Sequence, residues 1–469
     1  MKKQKPMPRS AGTLLPVSSL PSPYGIGCFS KEAYEFVDFL HQAGQKYWQV
    51  LPLGPTSYGD SPYQSFSAFA GNPYFVDLDT LITEGLLKKS EVTGVKWGDD
   101  PVYVDYGLLY QKRYKVLNKA FKRSKLIGTP EYKEFCDEHK YWLKGYSDFM
   151  AEKEDYPPEF WAFCQFHFFK QWKKLKDYAN SLGIEIIGDI PIYVALDSAD
   201  VRDNPKLFLL DKKGEPIDVA GVPPDMFSAD GQLWGNPLYD WERMEKDGFA
   251  WWKKRMGHSI KLYDIIRIDH FIGIVNYFSI PAGSTSAKPG VWKPGPGEKL
   301  LTAINSVMEG KRIIAEDLGE LTPTVMRLRD KSGYPGMKLM IYAFGTDGMH
   351  PYLPGHFAKN LVVYAGTHDN EPLAGYFGRC KRKERQFARK YLNVKRNTDI
   401  TWGIIRAGYA SCADVAVFQI QDYLELGDEA RINTPSTLGG LNWRWRLIPG
   451  QVDEVLAVRI KELCETYGR

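Results

Sequence analysis

Apolar runs of four to eight residues recur along the chain, separated by longer stretches whose apolar positions are spaced for helices. Runs at 46–53, 184–191, 263–268, 312–315, 337–343, 361–365 and 414–420 have the composition of strands buried on both faces. With a shorter segment at 74–78 they number eight, and the helix-like stretches between them give a parallel βα pattern. Eight such units predict an α/β fold, a closed (β/α)8 TIM barrel. An open doubly wound sheet is the alternative. It normally carries a Gly-rich phosphate turn after its first strand, and Leu51-Pro52-Leu53-Gly54-Pro55 is not one.

Because strand signals continue to residue 420, residues 1–469 read as one catalytic barrel domain with two large insertions. The first, about 79–183, is helical and rich in Lys, Glu and aromatic residues. The second, about 192–262, reads as irregular and Pro/Gly-rich, and 231–237 within it reads as a covering loop. A further Pro/Gly-rich loop, 281–297, reads as ordered cover. The chain continues only briefly past the eighth strand, which leaves no room for a separate C-terminal β-domain.

Charge and composition then narrow the function. Lys and Arg total 61 against 57 acids, a net charge of +4, which argues against a nucleic-acid partner. The basic start at 1–9 is followed by a stretch too short and too rich in Pro, Ser and Gly for a signal sequence. The longest apolar-looking run, 264–280, contains Arg267, Asp269 and His270, so no membrane span is expected. Six scattered cysteines without a C-x-x-C pair read as reduced thiols of a cytoplasmic protein. Aromatic residues make up 14%. Many must be core, but flat rings also suit the C–H faces of sugars.

Three carboxylates follow strand-like runs directly: Asp269 in Arg267-Ile268-Asp269-His270, Glu316 in Ala315-Glu316-Asp317-Leu318-Gly319, and Asp369 in Thr367-His368-Asp369-Asn370. At such positions they lie at the wet rim of a barrel, and with no nucleophilic Ser or Cys motif beside them they point to glycosyl chemistry. Arg267 shares a strand face with Asp269, so it could keep that acid ionised as a nucleophile requires; a buried structural ion pair is the alternative. The apolar wall before Glu316 would raise its pKa, as a general acid requires. Asp317 reads as a helix cap. His368 and Asp369 together could hold vicinal sugar hydroxyls. With only eight His and no H-E-x-x-H motif, no metal site is expected. No G-x-S-x-G, P-loop or complete G-x-G-x-x-G supports an esterase, kinase or dehydrogenase. Two further segments reach the same rim: Asp60-Ser61-Pro62-Tyr63-Gln64, otherwise a simple turn, and Asp189, otherwise a cap.

These blocks, with Gly12–Gly27, Gly188–Val194, Gly231–Pro237 and Asn442–Arg446, resemble in kind and order those of the 4-α-glucanotransferases called amylomaltases, relatives of the α-amylases. The resemblance covers nearly the whole chain. It implies transfer of 1,4-α-glucan segments, with maltooligosaccharides as partners and no cofactor. Asp269 then matches the nucleophile, Glu316 the acid/base and Asp369 the third acid. Tyr63, Asp189, Arg267 and His368 match residues lining the subsite of cleavage. Gln232, Trp234 and Asn236 match a loop over the acceptor side, with Ser61 and Asp225 as weaker matches. The chain departs from the pattern at Glu371-Pro372, where many relatives have Asp-Thr, and at Met226, where an aromatic is common. The rival readings are an α-amylase-like hydrolase with the same acids and an inactive glucan-binding protein.

Overall fold

The computed structural model describes residues 3–224, 228–319, 321–345 and 347–469. Eight parallel strands form its centre: Ser10–Leu14, Tyr47–Gln49, Glu185–Ile190, Ile265–Ile268, Arg312–Ala315, Gly336–Leu339, Leu361–Tyr364 and Val415–Gln419. Neighbours in sequence pair, all but the fifth with the sixth, and the eighth returns to the first with Ser10 opposite Val415 and Leu14 opposite Gln419. The remaining gap, between fifth and sixth strands, is bridged by backbone and side chain. Ala315 N–H donates to the Pro335 carbonyl at 3.0 Å, and Met337 N–H donates to Asp317 Oδ1 at 2.7 Å. The result is the expected (β/α)8 barrel. Asp317 is therefore a seam residue, also paired with Arg329 at 2.5 Å, and the following helix Pro323–Ser332 is capped by Thr322 instead.

The eighth strand is not where the pattern predicted it. The segment 74–78 holds the end of a 3-10 turn, Pro73–Phe75 capped by Asn72, and the start of a helix, Leu78–Thr83 capped by Asp77. Capping side chains two and three residues from their N–H partners favour turns and helix starts over a ladder. The true first strand, Ser10–Leu14, is masked by Ser, Gly and Thr. Its Gly12 is required by packing, since a Cβ there would lie 2.6 Å from the Tyr47 Cβ. The run at 46–53 pairs only at Tyr47–Gln49, before Pro52, which has no N–H for a ladder.

Between the second and third strands lie the helices Tyr106–Arg123, Pro130–His139, Leu143–Lys153 and Pro158–Ser181, the last of which leads into the third strand. Much of the aromatic content goes into this packing: Trp48, Trp161, Trp172 and Trp252 are fully buried and make core contacts. The segment 192–262 is more regular than its composition suggests. Its strands Asp218–Val222 and Gln232–Pro237 join Asn276–Pro281 and Val291–Pro294 in a four-stranded antiparallel sheet beside the barrel. Gly221 hides the strand pattern but permits the pairing, because a Cβ there would meet the Gln232 carbonyl oxygen at 2.1 Å. No helix among the described residues is long and apolar enough to cross a membrane.

Tight packing beneath the barrel rim yields a stability test. A Cβ at Gly188 would stand 2.1 Å from the buried Tyr263 ring, which would have to shift. Gly188→Ala is expected to cost about 1–3 kcal/mol, read as a lower urea midpoint.

Candidate active site

The site grows from one cross-strand pair. Asp189 on the third strand stands opposite Arg267 on the fourth, and both are almost wholly buried. One guanidinium nitrogen of Arg267, Nη1, donates to both Asp189 oxygens, at 2.8 and 2.7 Å, and to Asp269 Oδ1 at 2.8 Å. Burial works against charge on Arg267, but the two carboxylates hold it protonated, well above its ordinary value. The Arg267–Asp269 pair is thus one link of a longer chain, since Tyr63 O–H donates to Asp189 Oδ2 at 2.7 Å. Asp269 itself keeps 28% of its side chain accessible, so it is oriented from behind and open in front.

Glu316 leaves the fifth strand beside the same peptide. The N–H of His270, the residue after Asp269, donates to Glu316 Oε2 at 2.7 Å, and Leu318 N–H donates to Oε1 at 2.8 Å. To present its N–H this way, His270 adopts a left-handed backbone with φ 52°, a conformation costing on the order of 1 kcal/mol for a non-glycine residue. Phe271 N–H, donating to the Glu316 carbonyl at 2.9 Å, helps hold it there. Burial raises Glu316 to about 8, with Arg267 opposing and Asp269 adding to the rise. Near neutral pH Glu316 therefore carries a proton. Burial lowers His270 to about 4, so its ring is neutral.

Asp369 follows the seventh strand. His368 clusters with Tyr63, stacked at 5.0 Å between ring centres, and Trp443 at 5.8 Å, while its Nε2 is 3.4 Å from Asp369 Oδ1. Asn433 Nδ2 donates to Asp369 Oδ1 at 2.7 Å, and Arg431 Nη2 donates to the Asp369 carbonyl at 2.8 Å. Asn433 and Arg431 did not emerge from the sequence. Trp443 lies within the Asn442–Arg446 block that the sequence did single out, but its place against His368 needed the fold.

Among the remaining predicted residues, Trp234 meets His270 edge-on at 4.9 Å, and its Nε1–H donates to Gln232 Oε1 at 3.0 Å. Asn236 is buried: its Nδ2 donates to the Val194 carbonyl at 2.8 Å and its Oδ1 accepts from Gln64 at 3.0 Å. It anchors the strand Gln232–Pro237 to the barrel. Ser61 Oγ accepts from Tyr63 N–H at 3.2 Å, the turn contact its sequence allowed. Asp225 and Met226 lie outside the described residues.

A parallel eight-stranded barrel with one arginine-paired acid, one proton-bearing acid and a third held by an amide at its rim has the make-up of a barrel enzyme acting on glycosidic bonds. The comparisons with known proteins narrow that class. The model of the 4-alpha-glucanotransferase family matches residues 15–159 and 153–450. A 4-alpha-glucanotransferase of Clostridium butyricum is 47% identical over 97% of this chain and 99% of its own length, and one from Streptococcus pneumoniae serotype 4 is 44% identical over 98% and 97%. The amylomaltase of Streptococcus agalactiae, solved with acarbose, superposes with a TM-score of 0.94 at 39% identity, covering 98% of this chain and 99% of that one. The chain belongs to the 4-alpha-glucanotransferase family, and is a transglycosylase of that type.

Proposed function

We propose that this enzyme transfers segments of 1,4-α-glucans to the 4-hydroxyl of a second glucan by a retaining double displacement. Asp269 attacks the anomeric carbon while Glu316 gives its proton to the departing glycosidic oxygen. The resulting glucosyl-enzyme is then opened by an acceptor hydroxyl, whose proton returns to Glu316. Asp369, with His368, holds the hydroxyls of the reacting sugar, and Arg267, Asp189 and Tyr63 line and stiffen that subsite. The observation that carries this reading is the placing of two acids on adjoining peptides, one against a buried guanidinium and the other buried. Asp269 is the first, and Glu316, raised to about 8 by burial, is the second. Six free cysteines support action in a reducing, cytoplasmic setting.

Incubation with maltotriose tests the reading. Transfer yields glucose together with maltooligosaccharides longer than the donor. A steep rise in reducing ends with nothing longer than maltotriose would favour hydrolysis, and binding without turnover would favour an inactive glucan-binding protein. The covering strand predicts the partition between the two reactions. Trp234→Ala removes a ring beside the buried His270 and with it about 1 kcal/mol of sugar stacking, so the ratio of transfer to hydrolysis should fall about fivefold in a product assay.

A further inference from the structure

Asp369 is the most accessible of the three acids, with 45% of its side chain exposed, so its orientation depends on what grips it. That grip passes through Arg431. Its Nη2 donates to the Asp369 carbonyl at 2.8 Å, and its Nε donates to the carbonyl of Asn433 at 2.6 Å. Asn433 in turn bonds Asp369 Oδ1 through its amide, and its N–H donates to the His368 carbonyl at 3.0 Å. The third arm of Arg431, Nη1, is fixed by Glu371 Oε1 at 3.2 Å. The same Glu371 oxygen is paired with Arg379, whose Nε reaches Asp428 Oδ2 at 3.0 Å. Glu371 thereby joins the loop after the seventh strand, the end of helix Leu373–Arg379 and the loop after the eighth strand.

We propose that Glu371 is a positioning residue for glucan transfer, setting Asp369 and Asn433 through the Arg431 fork. This rests on the reading of Asp369 as the third acid. A planar guanidinium with three fixed partners has one orientation; with one partner gone it can pivot, and both carbonyls it holds shift with it. The Glu371 and Arg431 side chains are each only about one-fifth exposed, 19% and 20%, so removing the charge of Glu371 should cost some stability as well as free the guanidinium. Small displacements of groups that hold the reacting sugar cost rate steeply.

The test uses the full chain with maltotriose. Glu371→Gln is expected to lower kcat by roughly ten- to a hundredfold, with KM within about twofold and a melting temperature that stays well above the assay temperature. Arg431→Lys keeps the charge but loses the fork, and should give a similar loss. The double variant should be no worse than the poorer single, because both act through one network. An unchanged kcat in Glu371→Gln, a loss that is regained when the assay temperature is lowered, or multiplying losses in the double variant would each overturn the proposal. Asp369→Asn, assayed in parallel, separates the two readings. If it keeps wild-type activity, the role of Asp369 fails and the proposal with it; if it is inactive while Glu371→Gln is fully active, only the Glu371 assignment fails.

Discussion

Asp269→Asn is expected to lower kcat for maltotriose transfer by about four to six orders of magnitude, the scale of removing a covalent nucleophile from a site whose parts act as a unit. The amide is nearly isosteric and can still accept from Arg267 Nη1, so the fold and glucan binding should survive and the loss should lie in kcat. The argument depends on where Asp269 sits. Its N–H is tied to the Ile190 carbonyl at 3.0 Å, and its Oδ1 is held by Arg267, leaving the rest of the carboxylate free to attack. Measurement is by product quantification at saturating maltotriose, with glucan affinity as the control. Activity within tenfold of wild type would remove Asp269 from the mechanism.

Glu316→Gln should lower kcat by about two to four orders of magnitude with maltotriose, since both the departing and the incoming oxygen lose their proton partner. With α-glucosyl fluoride, whose leaving group needs no proton, the first step should be largely spared, so the variant would accumulate glucosyl-enzyme. Two pH signatures accompany this. Wild-type kcat/KM should fall as pH rises through about 8, where Glu316 ionises, and that limb should vanish in the variant. Stability should follow the same group. Its folded value lies above the ordinary 4.5, so proton binding favours the folded chain; that contribution is full below 4.5 and is lost as pH rises through about 8. Gln does not ionise, so although its amide nitrogen forfeits one of the two backbone N–H bonds, the melting temperature of Glu316→Gln should fall less than that of wild type over this interval. Equal melting curves at pH 5 and 8 would mean that Glu316 ionises normally.

The ease of reading different parts of this protein follows how local their causes are. Ile265–Ile268 and Leu361–Tyr364 are apolar on both faces and could be little else than buried parallel strands. Ser10–Leu14 could not be read because its small and polar residues answer to neighbours: Gly12 to Tyr47, and Ser10 and Thr13 to a buried place between the eighth and second strands. In the same way Asp317 has the sequence position of a cap, yet closes the barrel because its partner N–H belongs to Met337, twenty residues on.

By itself the sequence determined seven of the eight barrel strands, the strand ends that carry Asp269, Glu316 and Asp369, and the arginine two residues before the first of them. All of these depend on period, apolar runs and spacing within a few residues. Only the tertiary structure decided the partners and aim of those acids. Burial by distant segments raises Glu316 to about 8 against the opposing pull of Arg267, while the His270 peptide is bent to aim the carboxyl. Asp369 is aimed by Asn433, 64 residues away, through a fork held by Glu371 and Arg431. Burial and hydrogen-bond direction depend on which chain segments end up adjacent, and no local run of residues records that.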